Sequence, residues 1–353
     1  MTEPALPDEA AAFLRKSVGD AWSVEPLAGD ASVRRYFRVR LPDGSTRMLA
    51  YYPREVRPQL LQFLDAYRAV QPHGRVPQVL EHSDAAVLQV DVGDQTLFDL
   101  LHRDRESGVR LYRQAIDTLV AFQRATAGEV NPPFSSDFFF NELEMTRQFY
   151  VESLMDVPAE SSRRLVPMFR SLTDSLSRHP YLLCHRDYHG QNIHILNSTL
   201  YIIDYQDMRM GPDTYDLASL LRDRGVARLL GESTEMDLLA YYSGLRESNV
   251  EPALSRFAPA GEPALRSLSK RYFETLLQRS LKILGTFSRQ PIERGRLHYL
   301  EFIPPTLESV ERCLRELPEF EELARAFPLR FSIQQAQARV RRIIDAQNHA
   351  ASR

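Results

Sequence analysis

The sequence predicts an α+β protein with two lobes, a small antiparallel β-rich lobe at residues 1–93 and a large, mainly helical lobe at residues 94–353. Short runs of β-branched and aromatic residues, separated by turn signals, fill much of the first part. From Thr96 onward, most apolar residues follow helical spacing instead. At 353 residues, the chain also exceeds the roughly 250–300 residues at which one hydrophobic core stops growing. These observations favour two lobes over one.

In the predicted small lobe, the first strong signal is a hairpin. Residues 36–41 alternate, Pro-Asp-Gly at 42–44 is a turn signal, and residues 46–52 resume an apolar β-rich run. Helical spacing then predicts one helix over 59–70, stopped by Pro-His-Gly. Two more strand-like runs follow, VPQVLEH and AAVLQVDVGD. We therefore expect a small antiparallel sheet with one helix.

The predicted large lobe is a succession of helices around a second hairpin. Residues 111–127 form an amphipathic pattern that ends at Gly128, and Ser136 or Asp137 can cap a helix through Met155. The hairpin spans 192–205, with Asn-Ser as its turn. The amphipathic tail after residue 318 is expected to pack on this lobe, with a dimer contact as the alternative. Further helical patterns lie at 235–246, 266–289, 305–316 and 332–346.

Composition indicates an ordinary globular protein, with 43% hydrophobic and 26% charged residues. The net charge is −3, and no block of Lys or Arg stands out, which argues against a nucleic acid or a membrane surface as the main partner. No apolar run approaches the ~20 residues of a membrane-spanning helix, and the acidic start does not resemble a signal peptide. We expect a cytoplasmic protein, in which Cys184 and Cys313 are reduced thiols. The sequence does not predict an oligomeric state.

The stretch LLCHRDYHGQN concentrates side chains capable of chemistry ahead of the second hairpin. Asp187 and Asn192 lie on a loop between two short strands, and Asp204 ends the partner strand of the hairpin. These three oxygen-bearing side chains can converge at one end of the hairpin. A carboxylate that orients a hydroxyl, with an amide oxygen and a second carboxylate on Mg²⁺, is the grouping that phosphoryl transfer requires.

Two other interpretations of the same stretch stay open. His185, His189 and His194 could bind zinc, although Gly190 and the β-branched residues that follow argue against a helix here, and there is no HExxH motif. The stretch could also be a polar turn without catalytic function. The aspartate at the end of the partner strand favours the phosphoryl-transfer interpretation.

HRDYHGQN followed by YIIDYQD resembles the HxDxxxxN and IID signatures of the aminoglycoside phosphotransferase family, small-molecule kinases related to protein kinases. The resemblance implies a two-lobed protein-kinase-like fold. By position, Asp187 matches the catalytic aspartate, and Asn192 and Asp204 match the magnesium ligands. His185 matches the histidine that braces the loop, and Asp216 matches an acid that supports the loop from a helix start.

More of the chain, over residues 27–310, is similar to a narrower group, the bacterial kinases that phosphorylate N-acetylmuramate and N-acetylglucosamine at the anomeric hydroxyl during cell-wall recycling. This similarity implies a sugar kinase that uses Mg²⁺ and either ATP or GTP. Acceptors of the aminoglycoside, choline or homoserine type, and a catalytically weak kinase-like binding protein, are the alternatives. The matching segments are GDASVRRYFRV, DVGDQTLFDLL, HRDYHGQN, DYQDMRMGPDTYDLASLLRD and LQRSLKILGTFSR.

On the nucleotide side, the segment GDASVRRYFRV would place a turn between two strands. Its Gly29, Ala31 and Ser32 would let backbone N–H groups approach phosphates. The segment from Gln89 through Asp91 to Gly93 would be the hinge between the lobes, where the backbone pairs with adenine. Taken alone, the first segment reads as an ordinary turn.

The phosphate-pairing lysine that this resemblance implies is missing from the strand TRMLAYY. The chain has only three lysines, Lys16, Lys270 and Lys282. A guanidinium can pair with phosphate bidentately, so an arginine could substitute. The helix over 59–70 also lacks a glutamate to pair with such a lysine. The candidate arginines are Arg34, Arg35 and Arg47.

The acceptor pocket is expected to use large-lobe residues near the catalytic loop. Asp207 could reach a sugar hydroxyl, Glu144 lies near a helix start, and Arg279 could meet an anionic group. An ion pair on a helix face is the plainer interpretation of Glu144 and Arg279. The same alternative, or burial in the core, applies to Glu142, Tyr272, Phe273 and Lys282.

Overall fold

A computed structural model describes residues 6–27, 33–125, 130–222, 225–248 and 262–351. The chain forms two compact units. Unit 1 comprises Met1–Pro132 and Leu183–Arg209, and unit 2 comprises Pro133–Leu182 and Met210–Arg353. Unit 1 is therefore not the same as the predicted small lobe of residues 1–93. It also includes two helices that follow residue 93 and the second hairpin.

Unit 1 contains a five-stranded antiparallel sheet of order β1-β2-β3-β5-β4. The predicted hairpin is confirmed, with Arg40 opposite Thr46 next to the turn. The two later strands are also where the sequence predicts them. The strands are β1 (Ser23–Leu27), β2 (Arg35–Arg40), β3 (Thr46–Tyr51), β4 (Val79–His82) and β5 (Ala86–Val90).

The prediction of one helix in the small lobe was incomplete, because helix α1 (Asp8–Val18) precedes the sheet. It buries Ala10, Phe13 and Leu14 against sheet residues that include Phe37 and Leu49. These three residues have the i, i+3, i+4 spacing of a helix, so the signal for α1 was present in the sequence. Packing against the sheet supplies the stability that a helix of this length lacks in isolation.

Three more helices belong to unit 1: α2 (Pro58–Val70), α3 (Leu97–Arg103) and α4 (Arg105–Phe122). Helix α2 confirms the prediction over 59–70. Helix α4 begins six residues before the predicted start at 111, because Asp104 accepts a hydrogen bond from the Ser107 amide and caps it. The predicted end at Gly128 lies outside the described residues.

The second hairpin, β7 (Ile193–Leu196) and β8 (Thr199–Ile202), is confirmed. Its turn residues Asn197 and Ser198 have φ values of 49° and 60°, as a two-residue I′ turn requires. Strands β6 (Tyr181–Cys184) and β9 (Arg209–Pro212) form a separate two-stranded sheet. The boundary between the two units passes through both strands.

In the described part of unit 2, the regular elements are helices apart from its share of β6 and β9. The predicted helix through Met155 starts as α5 (Ser136–Thr146) and continues as a π-helix over Arg147–Leu154. The predicted cap was wrong: Ser135 accepts the hydrogen bond from the Phe138 amide, one residue before the expected Ser136. The other helices are α6 (Ala159–Ser162), α7 (Leu165–Leu176), α8 (Tyr215–Arg222), α9 (Val226–Leu230), α10 (Glu232–Ser248), α11 (Glu262–Arg294), α12 (Ile303–Glu316), α13 (Glu321–Ala326) and α14 (Ile333–Ala351).

The long helix α11 is the centre of unit 2. It approaches α5 closely at Gly285, where an added Cβ would lie 2.7 Å from Thr146 Oγ1. Thr146 in turn donates to the Leu281 carbonyl at 2.6 Å. The tail helix α14 packs on unit 2, where Ala336 and Val340 are buried, so the plainer prediction for the tail is confirmed. In the described parts of the chain, no helix combines the length and apolar character needed to cross a membrane.

Candidate active site

Backbone hydrogen bonds hold the loop after β6 against the end of the second hairpin. The Ile203 amide donates to the Asn192 carbonyl at 3.0 Å, which continues the β7–β8 pairing one step beyond the strands. Asp204 is therefore fixed beside the end of the loop that carries Asp187. Both segments belong to unit 1.

Asn192 is bonded directly to the loop segment at Asp187. Its side-chain Nδ2 donates to the Asp187 carbonyl at 2.9 Å, and the His189 amide donates to the same carbonyl at 2.9 Å. Because the Asn192 amide uses its nitrogen in this way, its oxygen is the atom that can coordinate a cation. Asp187 and Asn192 thus lie in one hydrogen-bonded turn.

His185 is 1% exposed and braces the loop from within. Its Nε2 lies 2.8 Å from the Ile203 carbonyl oxygen, to which it donates. The ring also packs near the rings of Phe122 and Tyr188, and the Tyr188 hydroxyl donates to the Ala115 carbonyl at 2.8 Å. Through α4, the loop is therefore tied to the body of unit 1.

Two residues of this site have left-handed backbone conformations that side chains other than glycine rarely adopt. Arg186 has φ 82° and Asp204 has φ 64°. Such strain persists only where surrounding contacts fix the backbone, and it concentrates at functional sites. Here the strained residues adjoin His185 and Ile203, the two ends of the bracing hydrogen bond.

The Asp204 carboxylate is held by two neighbours while 43% of its side chain remains exposed. Gln206 Nε2 donates to Asp204 Oδ1 at 2.9 Å, and Arg34 Nη2 lies 3.6 Å from the same oxygen. Arg34 was one of three arginines considered as a substitute for the missing lysine. The structure brings it to the carboxylate that the sequence predicts as a metal ligand.

Among the predicted nucleotide-binding residues, Gly29, Ala31 and Ser32 lie outside the described residues. Gln89 pairs with Met48 in the sheet, and Arg47 donates to the Thr46 carbonyl at 2.7 Å. The roles of these five residues in nucleotide binding stay predictions.

Asp91 takes part in an ion-pair cluster that the sequence did not predict. Arg38 Nε donates to Asp91 Oδ2 at 2.7 Å, and Arg38 Nη2 donates to Asp94 Oδ1 at 2.6 Å. Burial raises the pKa of the Asp91 carboxyl, but hydrogen bonds from Arg38 and from the Gly93 amide outweigh burial and lower that pKa overall. One arginine thus fixes the segment after β5 at both of its aspartates. The one hint of these ion pairs in the sequence is an arginine within a strand of alternating residues.

In unit 2, the predicted residues occupy different surroundings. Asp216 is fully buried in the first turn of α8, which matches the predicted helix start. Arg279 is buried, donates to Ser219 Oγ at 3.0 Å, and lies over the Tyr215 ring at 4.4 Å.

Two acceptor candidates are accessible. Glu144 pairs with Arg147 at 2.8 Å and lines an open cavity of about 670 Å³. Asp207, in unit 1, is half-buried in the turn after Asp204. The acceptor-binding roles of Asp207, Glu144 and Arg279 stay predictions.

Two of the three histidines considered as zinc ligands have structural partners. His194 Nδ1 lies 2.7 Å from the Gly93 carbonyl oxygen, and His185 bonds to Ile203. Across the described residues, no group of three or more His, Cys, Asp or Glu side chains is placed to hold a metal ion. The roles of Asn192 and Asp204 as magnesium ligands, which would include an amide oxygen, stay predictions.

The chain is similar to proteins of one family. The model of the phosphotransferase enzyme family, APH, matches residues 23–249. A protein named N-acetylmuramate/N-acetylglucosamine kinase from Pseudomonas aeruginosa is 27% identical over 312 residues, which cover 84% of this chain and 86% of that protein. A protein of the same name from Neisseria meningitidis serogroup B is 28% identical over 308 residues, covering 84% and 87%.

The fold has relatives among solved structures. The ADP-bound aminoglycoside phosphotransferase APH(2'')-Ib matches with a TM-score of 0.58 and 15% identity, over 89% of this chain and 99% of that chain. At this identity the likeness concerns the fold, which is the two-lobed kinase-like fold predicted from the sequence. The family match spans well over half of the chain, and it includes the loop of Asp187 and the hairpin that ends at Asp204. The chain belongs to the phosphotransferase enzyme family.

Proposed function

We propose that the protein is a kinase that transfers the γ-phosphoryl group of a nucleoside triphosphate to the anomeric hydroxyl of N-acetylmuramate or N-acetylglucosamine. The observation that carries the proposal is that hydrogen bonds join Asp187 to Asn192, and Asn192 to Ile203 directly before Asp204, so that the side chains needed for phosphoryl transfer lie on connected segments. The names of the two relatives support the acceptor class.

Asp187 is proposed as the catalytic residue. Its carboxylate is exposed at the loop, where it can accept the hydrogen bond of an acceptor hydroxyl and take the proton as the new P–O bond forms. Asn192 and His189 hold the Asp187 carbonyl, so the backbone of the catalytic residue is fixed. Most of the catalytic effect in such a site comes from positioning the reacting groups.

The residues present fit a magnesium ion. Mg²⁺ prefers oxygen ligands, and it is commonly held by one or two carboxylates together with substrate phosphates. The carboxylate of Asp204 and the amide oxygen of Asn192 are such donors, and we propose them as its protein ligands. Bound there, Mg²⁺ would neutralise negative charge on the phosphates.

The nucleotide is proposed to bind to the small lobe, residues 1–93, with either ATP or GTP as co-substrate. Support comes from the Arg38 cluster, which fixes the segment from Asp91 to Asp94 that would accept the base. The loop of Gly29, Ala31 and Ser32 is proposed to lie on the phosphates. The larger lobe, residues 94–353, would then supply the acceptor site with Asp207, Glu144 and Arg279.

We also propose that the protein works in the cytoplasm, where nucleoside triphosphates are available. Cys184 and Cys313 are both buried, and we propose that they are reduced thiols, as is usual in a reducing compartment. Asp216, buried at the start of α8, is proposed to support the site structurally.

The proposal is tested by following nucleotide consumption with a panel of acceptors: N-acetylmuramate, N-acetylglucosamine, aminoglycosides, choline and homoserine. Phosphorus NMR of the product then locates the phosphate. We expect an anomeric phosphate of an amino sugar. Consumption with another acceptor would assign a different kinase, and nucleotide binding without consumption would indicate a kinase-like binding protein.

A further inference from the structure

We propose that Arg34 is the residue that pairs with the nucleotide phosphates, held in place by Tyr52 and by the metal-binding Asp204. The inference deepens the proposed function and rests on it, because it assigns a side chain to the triphosphate of that reaction. It also explains how the site operates without a lysine.

The three lysines of the chain are exposed or paired with glutamates. Lys16 is exposed on α1. Lys270 pairs with Glu319 at 2.9 Å, and Lys282 pairs with Glu142 at 3.1 Å.

Arg34 occupies a prepared position next to the predicted metal site. Its side chain is 13% exposed, and its Nη2 lies 3.6 Å from Asp204 Oδ1. The hydroxyl of Tyr52, the residue directly after β3, is a further neighbour of the guanidinium. The Tyr36 ring lies beside it, 6.0 Å from the guanidinium carbon.

The Arg34 guanidinium is cationic, because arginine does not lose its proton in proteins. Burial raises the pKa of the neighbouring Tyr52 hydroxyl, so this group stays protonated and neutral. A partly buried cation interacts more strongly with a phosphate than an exposed one, because solvent screens it less.

The other two candidate arginines are engaged differently. Arg47 donates to the Thr46 carbonyl within its own strand, and the Arg35 guanidinium lies over the Phe37 ring at 5.1 Å. The ion pair with Asp204 distinguishes Arg34 from both. A guanidinium offers five donors in a planar fork, which lets one side chain serve a carboxylate and phosphate oxygens together.

The test compares the binding of a non-hydrolysable nucleoside triphosphate with Mg²⁺ and the binding of the corresponding nucleoside, by calorimetry. In Arg34→Gln we expect the triphosphate to bind about 10- to 100-fold more weakly, as for a lost charge-assisted hydrogen bond, while the nucleoside binds unchanged. Arg34→Lys keeps the charge and should lose less. Tyr52→Phe should weaken triphosphate binding several-fold through the position of Arg34.

Arg40→Gln is the matched control, because Arg40 ends the strand β2 that Arg34 directly precedes, is exposed, and pairs with the exposed Glu25 at 2.9 Å. If Arg34→Gln keeps the wild-type preference for triphosphate over nucleoside, or weakens both ligands equally, the inference is wrong. If Arg34→Gln does not fold, the same preference measured in Arg34→Lys and Tyr52→Phe decides. A wild-type protein that does not bind the triphosphate at all would instead contradict the proposed function.

Discussion

His185 Nε2 donates to the Ile203 carbonyl at 2.8 Å. This single hydrogen bond joins the residue two positions before Asp187 to the residue directly before Asp204. The loop of Asp187 and the end of β8 therefore cannot move independently while the bond is intact. The strained φ angles of Arg186 and Asp204 lie at its two ends, which indicates that the bond helps to maintain both conformations.

Replacing His185 with alanine should lower both stability and turnover. The change removes a buried ring and leaves the Ile203 carbonyl without this donor, so we expect the free energy of unfolding to fall by about 2–4 kcal/mol. Urea unfolding measures this loss, and kcat measured at a temperature where the variant is folded should fall more than triphosphate affinity. His185→Asn, which can still donate, should recover part of kcat. His82→Ala, at an exposed position of β4, is the control.

A side chain at position 190 should crowd the same loop. An added Cβ would lie 3.0 Å from both the Phe98 amide nitrogen and the Tyr112 hydroxyl oxygen, so the loop or α3 must shift. We expect Gly190→Ala to cost about 1–3 kcal/mol of stability and to reduce kcat. Gly244→Ala is the matched control, because a Cβ there meets nothing within 4 Å, and this helix substitution should stabilise by up to about 1 kcal/mol. Equal effects of the two substitutions would contradict this account of the loop.

We expect Arg38 to affect nucleotide binding, because it holds the segment after β5. The Asp91 side chain is 3% exposed, and Arg38→Gln would leave its carboxylate without its cation. Breaking a buried pair in this way costs about 3–5 kcal/mol, and the KM for the nucleotide should rise because the segment is no longer fixed. Thermal unfolding and nucleotide kinetics check both effects, with the exposed Arg40→Gln as control. A folded Arg38→Gln variant with the wild-type KM for the nucleotide would show that the ion pairs of Arg38 are not needed for nucleotide binding.

We expect the Glu274 carboxylate to stabilise unit 2 at neutral pH and to lose this effect at acid pH. Burial raises the pKa of its carboxyl, but hydrogen bonds from His179 at 2.6 Å and from Ser175 outweigh burial, and the pKa lies below its ordinary value of 4.5. Because the folded state has the lower pKa, the carboxylate contributes its full stabilisation above about pH 4.5. That contribution is lost as the pH falls through the folded-state pKa.

Urea unfolding between pH 3 and 7 tests this carboxylate. In Glu274→Gln the free energy of unfolding should fall by about 1–3 kcal/mol at pH 7, and its decline towards acid pH should be shallower than in the wild type. Glu322→Gln, at an exposed position of α13, should change neither. If the free energy of unfolding declined equally steeply towards acid pH in Glu274→Gln and in the wild type, groups other than Glu274 would cause that decline.

Much of the fold was predictable because its signals are local. The Asn-Ser turn and the flanking apolar runs predict the hairpin of β7 and β8, and the spacing from Asp187 to Asn192 predicts two members of the site. Helix α1 was missed although Ala10, Phe13 and Leu14 have helical spacing. The π-helix after Thr146 was missed because helical periodicity alone does not distinguish it from a continued α-helix.

The contacts that were not predictable join residues far apart in the chain. The sequence offered Arg34, Arg35 and Arg47 as equal candidates, and only the folded sheet places Arg34 beside Asp204. The Arg38 cluster likewise depends on the pairing of β3 with its neighbours β2 and β5. Local pattern thus predicts which side chains are available, whereas strand order decides which of them meet.

The central claim is that Asp187 acts on the acceptor hydroxyl in a phosphoryl-transfer site. Turnover of the amino-sugar acceptor by Asp187→Asn, measured beside triphosphate binding, tests it most directly, with the exposed Asp65→Asn of α2 as control. We expect kcat to fall by about 10²- to 10⁴-fold while triphosphate binding changes little. An Asp187→Asn variant with wild-type kcat would contradict the account.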